Sequence, residues 1–340
     1  MEGESQIITT TRIKRTNKKR KRFKPKIFVL FMIFQMILPI IMTPFIIFYG
    51  PFDSLKSLVV GTVYTSRHPH YLNYFLSQEE IETIIAQNNQ SLGGDIQDTN
   101  RSNAVNLEEG IVVEDIEGKN ALGRFRGKVM LIKDPKRIKV AVTQSLGVNG
   151  ERVSDLVKNM GAVAGINGGG FYDPDGSGNG AYPDGITVQK GEIIHNNVGD
   201  KAINMIGLDK EGQLVLGNMT VAQIREKGIQ EAVHFEPNLI VNGKKAEFSD
   251  GPYGYAPRTA IGQKADGTII FVVIDGRQPT WSMGAGMSDL YNIFRKYDAV
   301  AAANLDGGSS TEMMYNGKIL NKLWNMFGER YMPTGFVVMP

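Results

Sequence analysis

The pattern of apolar and polar positions divides the chain into two unlike parts. The first is one unbroken run. Residues 27–49 are 23 positions without a charge, built mostly from Ile, Phe, Leu and Met. At ~1.5 Å per residue a helix of that length reaches ~35 Å, enough to cross a ~30 Å hydrocarbon core with some tilt. The run predicts one transmembrane helix, with Pro39 and Pro44 as kink points and Gln35 as its one strongly polar side chain. A cleaved signal sequence is the rival reading. The run is longer than an ordinary apolar signal core, and Thr43-Pro44-Phe45 offers no small-x-small cleavage site.

Beyond the run the pattern shortens. Residues 50–109 read as a juxtamembrane stalk with one small helix. Ser77-Gln78-Glu79-Glu80 has capping-box spacing, and Ile81, Ile84 and Ile85 follow at helical spacing. Residues 88–106 are rich in Asn, Ser, Gln, Asp and Gly and read as a linker. From 110 short β runs take over, at 111–116, 127–132, 138–143, 162–167, 269–275, 299–305 and 336–339. Gln189-Lys190-Gly191 and Asp209-Lys210-Glu211-Gly212 mark hairpins. Helices are predicted over 153–159 and 287–297, the second with Leu290, Ile293 and Phe294 on one face. Strands outnumber helices and the alternation is irregular. That predicts an α+β class: a mixed, strand-rich domain over 110–340 with a few helices, not a doubly wound sheet.

Charge separates the same two parts. Residues 1–26 hold ten of the 38 Lys/Arg and two of the 35 acids, a basic tail of +8 on a body of −5. A basic cluster directly before a span stays on the cytoplasmic side, so residues from about 50 onward are expected outside the cell membrane. Topology and contact with anionic lipid explain the cluster without nucleic acid as a partner. Cysteine is absent, which excludes disulfides, thiolate metal sites and cysteine nucleophiles. His68-Pro69-His70 has no neighbouring carboxylate and reads as loop, so no metal site is assigned.

Glycine changes the picture most. The chain has 39 glycines in 340 residues, well above the ordinary ~7%, and most lie beyond residue 110. Three dense segments follow apolar strands: Asn167-Gly168-Gly169-Gly170-Phe171-Tyr172, Asp275-Gly276-Arg277, and Asn304-Leu305-Asp306-Gly307-Gly308-Ser309-Ser310. Each sets a polar residue at a strand end, then glycines that let the backbone approach a ligand closely or take a turn with positive φ. Pro257-Arg258-Thr259-Ala260-Ile261-Gly262 is a fourth such segment. None is a phosphate loop, because the lysine of that motif is missing.

In order and rough spacing these four segments resemble the phosphodiester glycosidase family, over about residues 110–340. Two departures stand out. Glu312 follows Ser309-Ser310-Thr311, where the family usually has a sulfur or apolar residue. Tyr331-Met332 also separates Arg330 from Pro333, where the family's late arginine directly precedes proline. The resemblance implies hydrolysis of a sugar-1-phosphodiester in a cell-surface or exopolysaccharide glycan. A glycan-phosphate would be the substrate; no cofactor is implied and no protein partner can be named. A non-catalytic glycan- or teichoic-acid-binding module on the same fold is the alternative.

That chemistry needs carboxylates around an oxocarbenium-like centre and donors for the phosphate. Asp275 and Asp306 are the leading carboxylates, with Glu312 third. Arg258 and Arg277 offer guanidinium forks that suit phosphate oxygens. The amides of Gly168, Gly169, Gly307 and Gly308, with Ser309 and Ser310, are expected to bind phosphate or sugar hydroxyls. Asn167 and Asn304 are expected to bind hydroxyls or to hold loops. His195, at a strand end, is a further candidate acid or phosphate ligand. Asp173 to Asn179 loosely resembles a calcium loop without its closing glutamate, so calcium is the one cation considered. Phe171, Tyr172, Tyr182, Tyr253, Tyr255 and Trp281 are aromatics placed to stack on sugar or to pack.

Overall fold

A computed structural model describes residues 24–64, 69–90, 105–108, 110–172, 178–248, 254–325 and 327–340. The chain divides into two compact units, Met1–Gly50 and Pro51–Pro340. In the first, Pro25–Tyr49 is one α-helix containing Pro39 and Pro44. By length and composition it could cross a membrane, and its side chains are almost all exposed. The basic tail up to residue 23 lies outside the described residues, as do His68, Asp173 to Ser177 of the calcium candidate, Tyr253, and residues 91–104 of the expected linker.

The second unit is built from antiparallel sheets, as the strand-rich α+β reading expects. The largest has eight strands. In order they are Val105–Glu108, Ile111–Asn120, Gly123–Ile132, Ile269–Ile274, Arg258–Lys264, Ala299–Leu305, Asn238–Val241 and Lys244–Lys245. A five-stranded sheet holds Leu214–Met219, Ile203–Leu208, Glu231–His234, Ile186–Gln189 and Glu192–Asn196. A third, also of five, holds Lys318–Ile319, Met313–Tyr315, Ala164–Asn167, Thr334–Val338 and Ile138–Val142. Phe171–Tyr172 and Tyr182–Pro183 form a separate two-stranded ribbon.

Burial explains this layering. Ile261 and Phe271 from the large sheet, Ile206 and Val233 from the second, and Ile166 and Phe336 from the third close into one apolar core. The other face of the large sheet takes the helix Met287–Lys296 through Leu290, Ile293 and Phe294. Gly262 makes that contact possible, since a Cβ there would sit 2.5 Å from Phe294 Cε1. Phe294 is fully buried, so Phe294→Ala is expected to cost about 3–5 kcal/mol. The helix starts where the buried Asp289 accepts the Gly286 amide at 2.9 Å and Asn120 Nδ2 at 2.8 Å.

The stretch read as a stalk carries more structure than the sequence suggests. Asp53–Tyr64 is a helix, followed by a 3₁₀ turn at Pro69–Tyr74 and the helix Gln78–Gln90. Ser77 and Glu80 do form the reciprocal cap, with Ser77 N donating to Glu80 Oε2 at 2.9 Å and Glu80 N to Ser77 Oγ at 3.2 Å. The first helix packs on the body: Leu55 joins Leu122 and Tyr255, and Gly61 lies against Gly254.

Candidate active site

Strand register brings the glycine-bearing segments together. Arg258 opposes Ile274, and Thr259 opposes Leu305. The start of the central strand therefore meets the ends of two neighbours, and Arg258, Asp275 and Asp306 emerge at one end of the large sheet. Asn167, at the end of a strand in the third sheet, ties these parts together. It is fully buried, and its Oδ1 accepts from Thr259 Oγ1 at 2.6 Å and from the Glu312 amide at 3.2 Å. Its Nδ2 donates to the Asp306 carbonyl at 2.6 Å. Of the two roles expected for Asn167, holding loops is the one its contacts fill.

The glycines are explained by close packing of the chain on itself. A Cβ at Gly168 would lie 2.6 Å from Thr334 Oγ1, at Gly169 2.5 Å from the His234 carbonyl, and at Gly307 2.8 Å from the Pro257 carbonyl. The Gly168 and Gly308 amides donate to the Thr334 and Pro257 carbonyls at 3.0 and 2.9 Å, and the Gly307 amide donates to Asp306 Oδ1 at 2.9 Å. These three N–H groups are therefore used within the fold. That corrects the expectation that they are open to phosphate or sugar.

Asp306 is the carboxylate with cations around it. It is half-buried, and burial pushes its carboxyl above the usual range. The Ser310 hydroxyl, the Arg330 charge, the Gly307 amide and the Arg258 charge act in the opposite direction. Arg330 Nη1 donates to Ser309 Oγ at 2.6 Å, and its guanidinium lies 4.8 Å from the centre of the Phe171 ring. Arg277 feels the Asp306 charge as well; burial, the larger effect, lowers its affinity for the proton. Its guanidinium sits 5.1 Å from the Trp324 ring, and its buried Nε has no hydrogen-bond partner. Arg277 also holds φ at 57°, in the left-handed region that a side chain of this size adopts only under constraint. A strained arginine with an unspent donor beside a half-buried carboxylate is suited to receiving an anion.

Arg258 is present but occupied. Nε donates to the Ala285 carbonyl at 3.0 Å and Nη2 to the Gly254 carbonyl at 2.6 Å. It braces two loops and adds positive charge behind Asp306. Asp275 is more fully occupied still. It is buried, and its Oδ2 accepts from Trp281 Nε1 at 2.7 Å. Its Oδ1 accepts from the Lys322 amide at 3.0 Å and from Asn321 Nδ2 at 3.4 Å. Burial raises its pKa, and these donors partly offset the rise. The structure thus places Asp275 as an anchor for residues 321–322, with its oxygens turned to its own chain.

Glu312 sits against a second carboxyl. It is buried and its pKa is pushed up to about 9, first by burial, then by the hydrogen bond to Glu329 and that group's charge, with Arg152 opposing. Glu329 in turn accepts from the Ser154 amide at 3.0 Å and Ser154 Oγ at 2.8 Å. At neutral pH Glu312 therefore keeps its proton. The pair fixes the segment whose next residue is Arg330.

Two candidates take other places. Asn304 donates to the Glu236 carbonyl at 2.9 Å, while its buried Oδ1 has no partner. His195 lies in the second sheet beside Pro183 and Asp184, and burial lowers its pKa. Sequence reasoning missed Thr259 as the partner of Asn167, Trp281 and Asn321 as partners of Asp275, and Glu329 as partner of Glu312. Arg330, set aside by its spacing to Pro333, belongs to the cluster. Its one visible signal was that it is an arginine late in the chain.

The phosphodiester glycosidase family model matches residues 160–339. Among solved structures, the zebrafish N-acetylglucosamine-1-phosphodiester alpha-N-acetylglucosaminidase catalytic domain matches with a TM-score of 0.56 and 17% identity, covering 74% of this chain and 87% of that one. A protein of Burkholderia pseudomallei matches with a TM-score of 0.51 and 18% identity, covering 64% and 75%. At these identities the likeness shows a shared fold. An uncharacterised prophage-derived protein of Bacillus subtilis is 37% identical over 67 residues, 20% of this chain. That match spans about a tenth of the curated relative's length.

Proposed function

The chain belongs to the phosphodiester glycosidase family, and from that premise we propose that it hydrolyses a sugar-1-phosphodiester at the anomeric bond. The observation that carries this reading is Asp306 amid Arg277 and Arg330, with Ser309 and Ser310 at its side. The two guanidiniums hold the phosphate oxygens by charge-assisted hydrogen bonds. The C1–O bond breaks and its electron pair leaves with the phosphate. Water oxygen bonds to C1, and its proton passes to the Asp306 carboxylate. The products are a free sugar and a phosphate monoester. A phosphate leaving group, whose monoester has a second pKa near ~6, departs without a strong acid. Buried cations are therefore of more use here than the acid of an ordinary glycosidase.

In the same proposal the Pro25–Tyr49 helix is an uncleaved signal anchor. The basic tail remains cytoplasmic and the body acts outside on a cell-surface or secreted glycan-phosphate. The test is release of free sugar from a sugar-1-phosphodiester by the full chain in detergent, with Asp306→Asn as the comparison. Equal turnover by the two proteins would overturn the role given to Asp306.

A further inference from the structure

Two of the arginines around Asp306 are held by loop backbone. Arg258 Nη2 donates to the Gly254 carbonyl at 2.6 Å and its Nε to the Ala285 carbonyl at 3.0 Å. The Arg277 amide donates to the Met283 carbonyl at 3.3 Å. The loops that supply these acceptors are locked backbone against backbone. The Ala285 amide donates to the Ala256 carbonyl at 3.0 Å, and the Ala256 amide returns the bond at 3.3 Å. A Cβ at Gly284 would lie 2.7 Å from the Ala256 carbonyl carbon, and one at Gly276 would lie 2.6 Å from Pro257 N.

The helix Asp53–Tyr64 packs on the same loops, and both belong to one compact unit. Near its start, Leu55 joins Leu122, Tyr255 and Met283 in an apolar cluster. Near its end, Gly61 is buried, and a Cβ at Gly254 would sit 3.2 Å from Gly61 Cα. The helix therefore reaches Gly254 and the cluster of Met283, the residues whose carbonyls hold Arg258 and Arg277. Arg277 needs such support. Its φ of 57° persists only where the surroundings over-determine it. A loop sealed under an apolar helix supplies that constraint better than a loop left open to water. We propose that Leu55 and Gly61 are positioning residues of the anion site, and that the helix Asp53–Tyr64 forms its back wall by fixing Arg258 and Arg277 relative to Asp306. The working unit for anion binding then includes this helix, well before the 160–339 matched by the family model. This rests on the proposed function for its anionic centre and adds to it a part that never touches substrate.

The experiment compares wild type with Leu55→Ala, Leu55→Met and Gly61→Ala, each as the full chain in detergent. Ile224→Ala, a truncation in the separate apolar cluster of the second sheet, is the control for lost stability alone. Amide hydrogen exchange and calorimetric titration with inorganic phosphate are the readouts. In Leu55→Ala, exchange over 254–258 and 276–285 should quicken about fivefold, with no change in the second sheet, and the phosphate Kd should rise about fivefold. Leu55→Met should restore both to within about twofold of wild type. Gly61→Ala should loosen the same loops. Alanine favours a helix over glycine, so that loosening reports the contact with Gly254 and not a weakened helix. Ile224→Ala should lower the melting temperature and leave loop exchange and phosphate affinity near wild type. Loops unchanged in both Leu55→Ala and Gly61→Ala, or loosened equally by Ile224→Ala, overturn the proposal. Turnover separates it from the hydrolase reading. Loosened loops and weaker phosphate binding, with no hydrolysis of a sugar-1-phosphodiester by wild type, keep the back wall and remove the hydrolase. Hydrolysis with the same kcat/KM in wild type and Leu55→Ala keeps the hydrolase and removes the back wall.

Discussion

Asp275 and Asp306 are twins in sequence. Each ends a buried strand of the same sheet, and each is followed by glycine. The structure gives them different surroundings. Asp275 receives an indole N–H, a backbone amide and a side-chain amide, all from its own chain. Asp306 keeps one neighbouring amide and a hydroxyl, and faces arginines. A strand-end aspartate is therefore ambiguous until the opposing groups are known. Donors that are fixed and neutral make a clamp. Cations with an unspent donor leave room for an anion.

The comparison can be broken most directly at Asp306. Asp306→Asn should lower turnover of a sugar-1-phosphodiester by about 10³-fold, within the range for removing a general base, with little change in melting temperature. Asp275→Ala should show the opposite pattern. It leaves three donors without their acceptor, and equilibrium denaturation should show a loss of about 3 kcal/mol. If Asp275→Ala folded as well as wild type, the clamp assignment would fail.

Finer changes sharpen the contrast. Arg330→Lys keeps the charge and loses the planar fork on Ser309, so kcat/KM should fall roughly 10–100-fold while stability stays close to wild type. A loss of stability equal to the loss of activity would make Arg330 a structural brace. The smallest effect concerns Glu312. Its folded pKa is raised to about 9 from an ordinary value of 4.5. Between those values the folded chain keeps a proton that the unfolded chain has released, so this group's contribution to stability declines as pH rises from about 4.5 to about 9. Glu312→Gln cannot lose a proton. Melting curves from pH 5 to 9 should show a shallower decline for the variant, and parallel profiles would rule out a proton retained on Glu312.

What the sequence made legible follows from how local each signal is. The Gln189-Lys190-Gly191 hairpin, the helix at 153–159 and the strand at 299–305 were set by neighbours in the chain and appear where expected. The helix Asp53–Tyr64 was read as stalk because what identifies it is distant: Gly61 against Gly254, and Leu55 beside Leu122 and Tyr255. The same holds at the site. Motif order points to Asn167, Arg277 and Asp306, three residues that the fold brings near one another. It could not separate Asp275 from Asp306, because Lys322 and Asn321 lie far along the chain. Nor could it find Glu329, whose partners Ser154 and Glu312 share no spacing with it. The sequence reads the glycines as room for a ligand, whereas at Gly168, Gly169 and Gly307 the close neighbours are the protein's own atoms.

Arg277 carries a consequence for how such a protein changes over time. A left-handed backbone under an arginine costs about 1–2 kcal/mol relative to glycine, which takes that conformation freely. A screen that rewards heat resistance alone would drift towards glycine at this position and, on the role proposed for its guanidinium, discard the phosphate grip in doing so. A screen that rewards turnover would hold the arginine and seek its stability elsewhere. The two lineages would diverge first at residue 277.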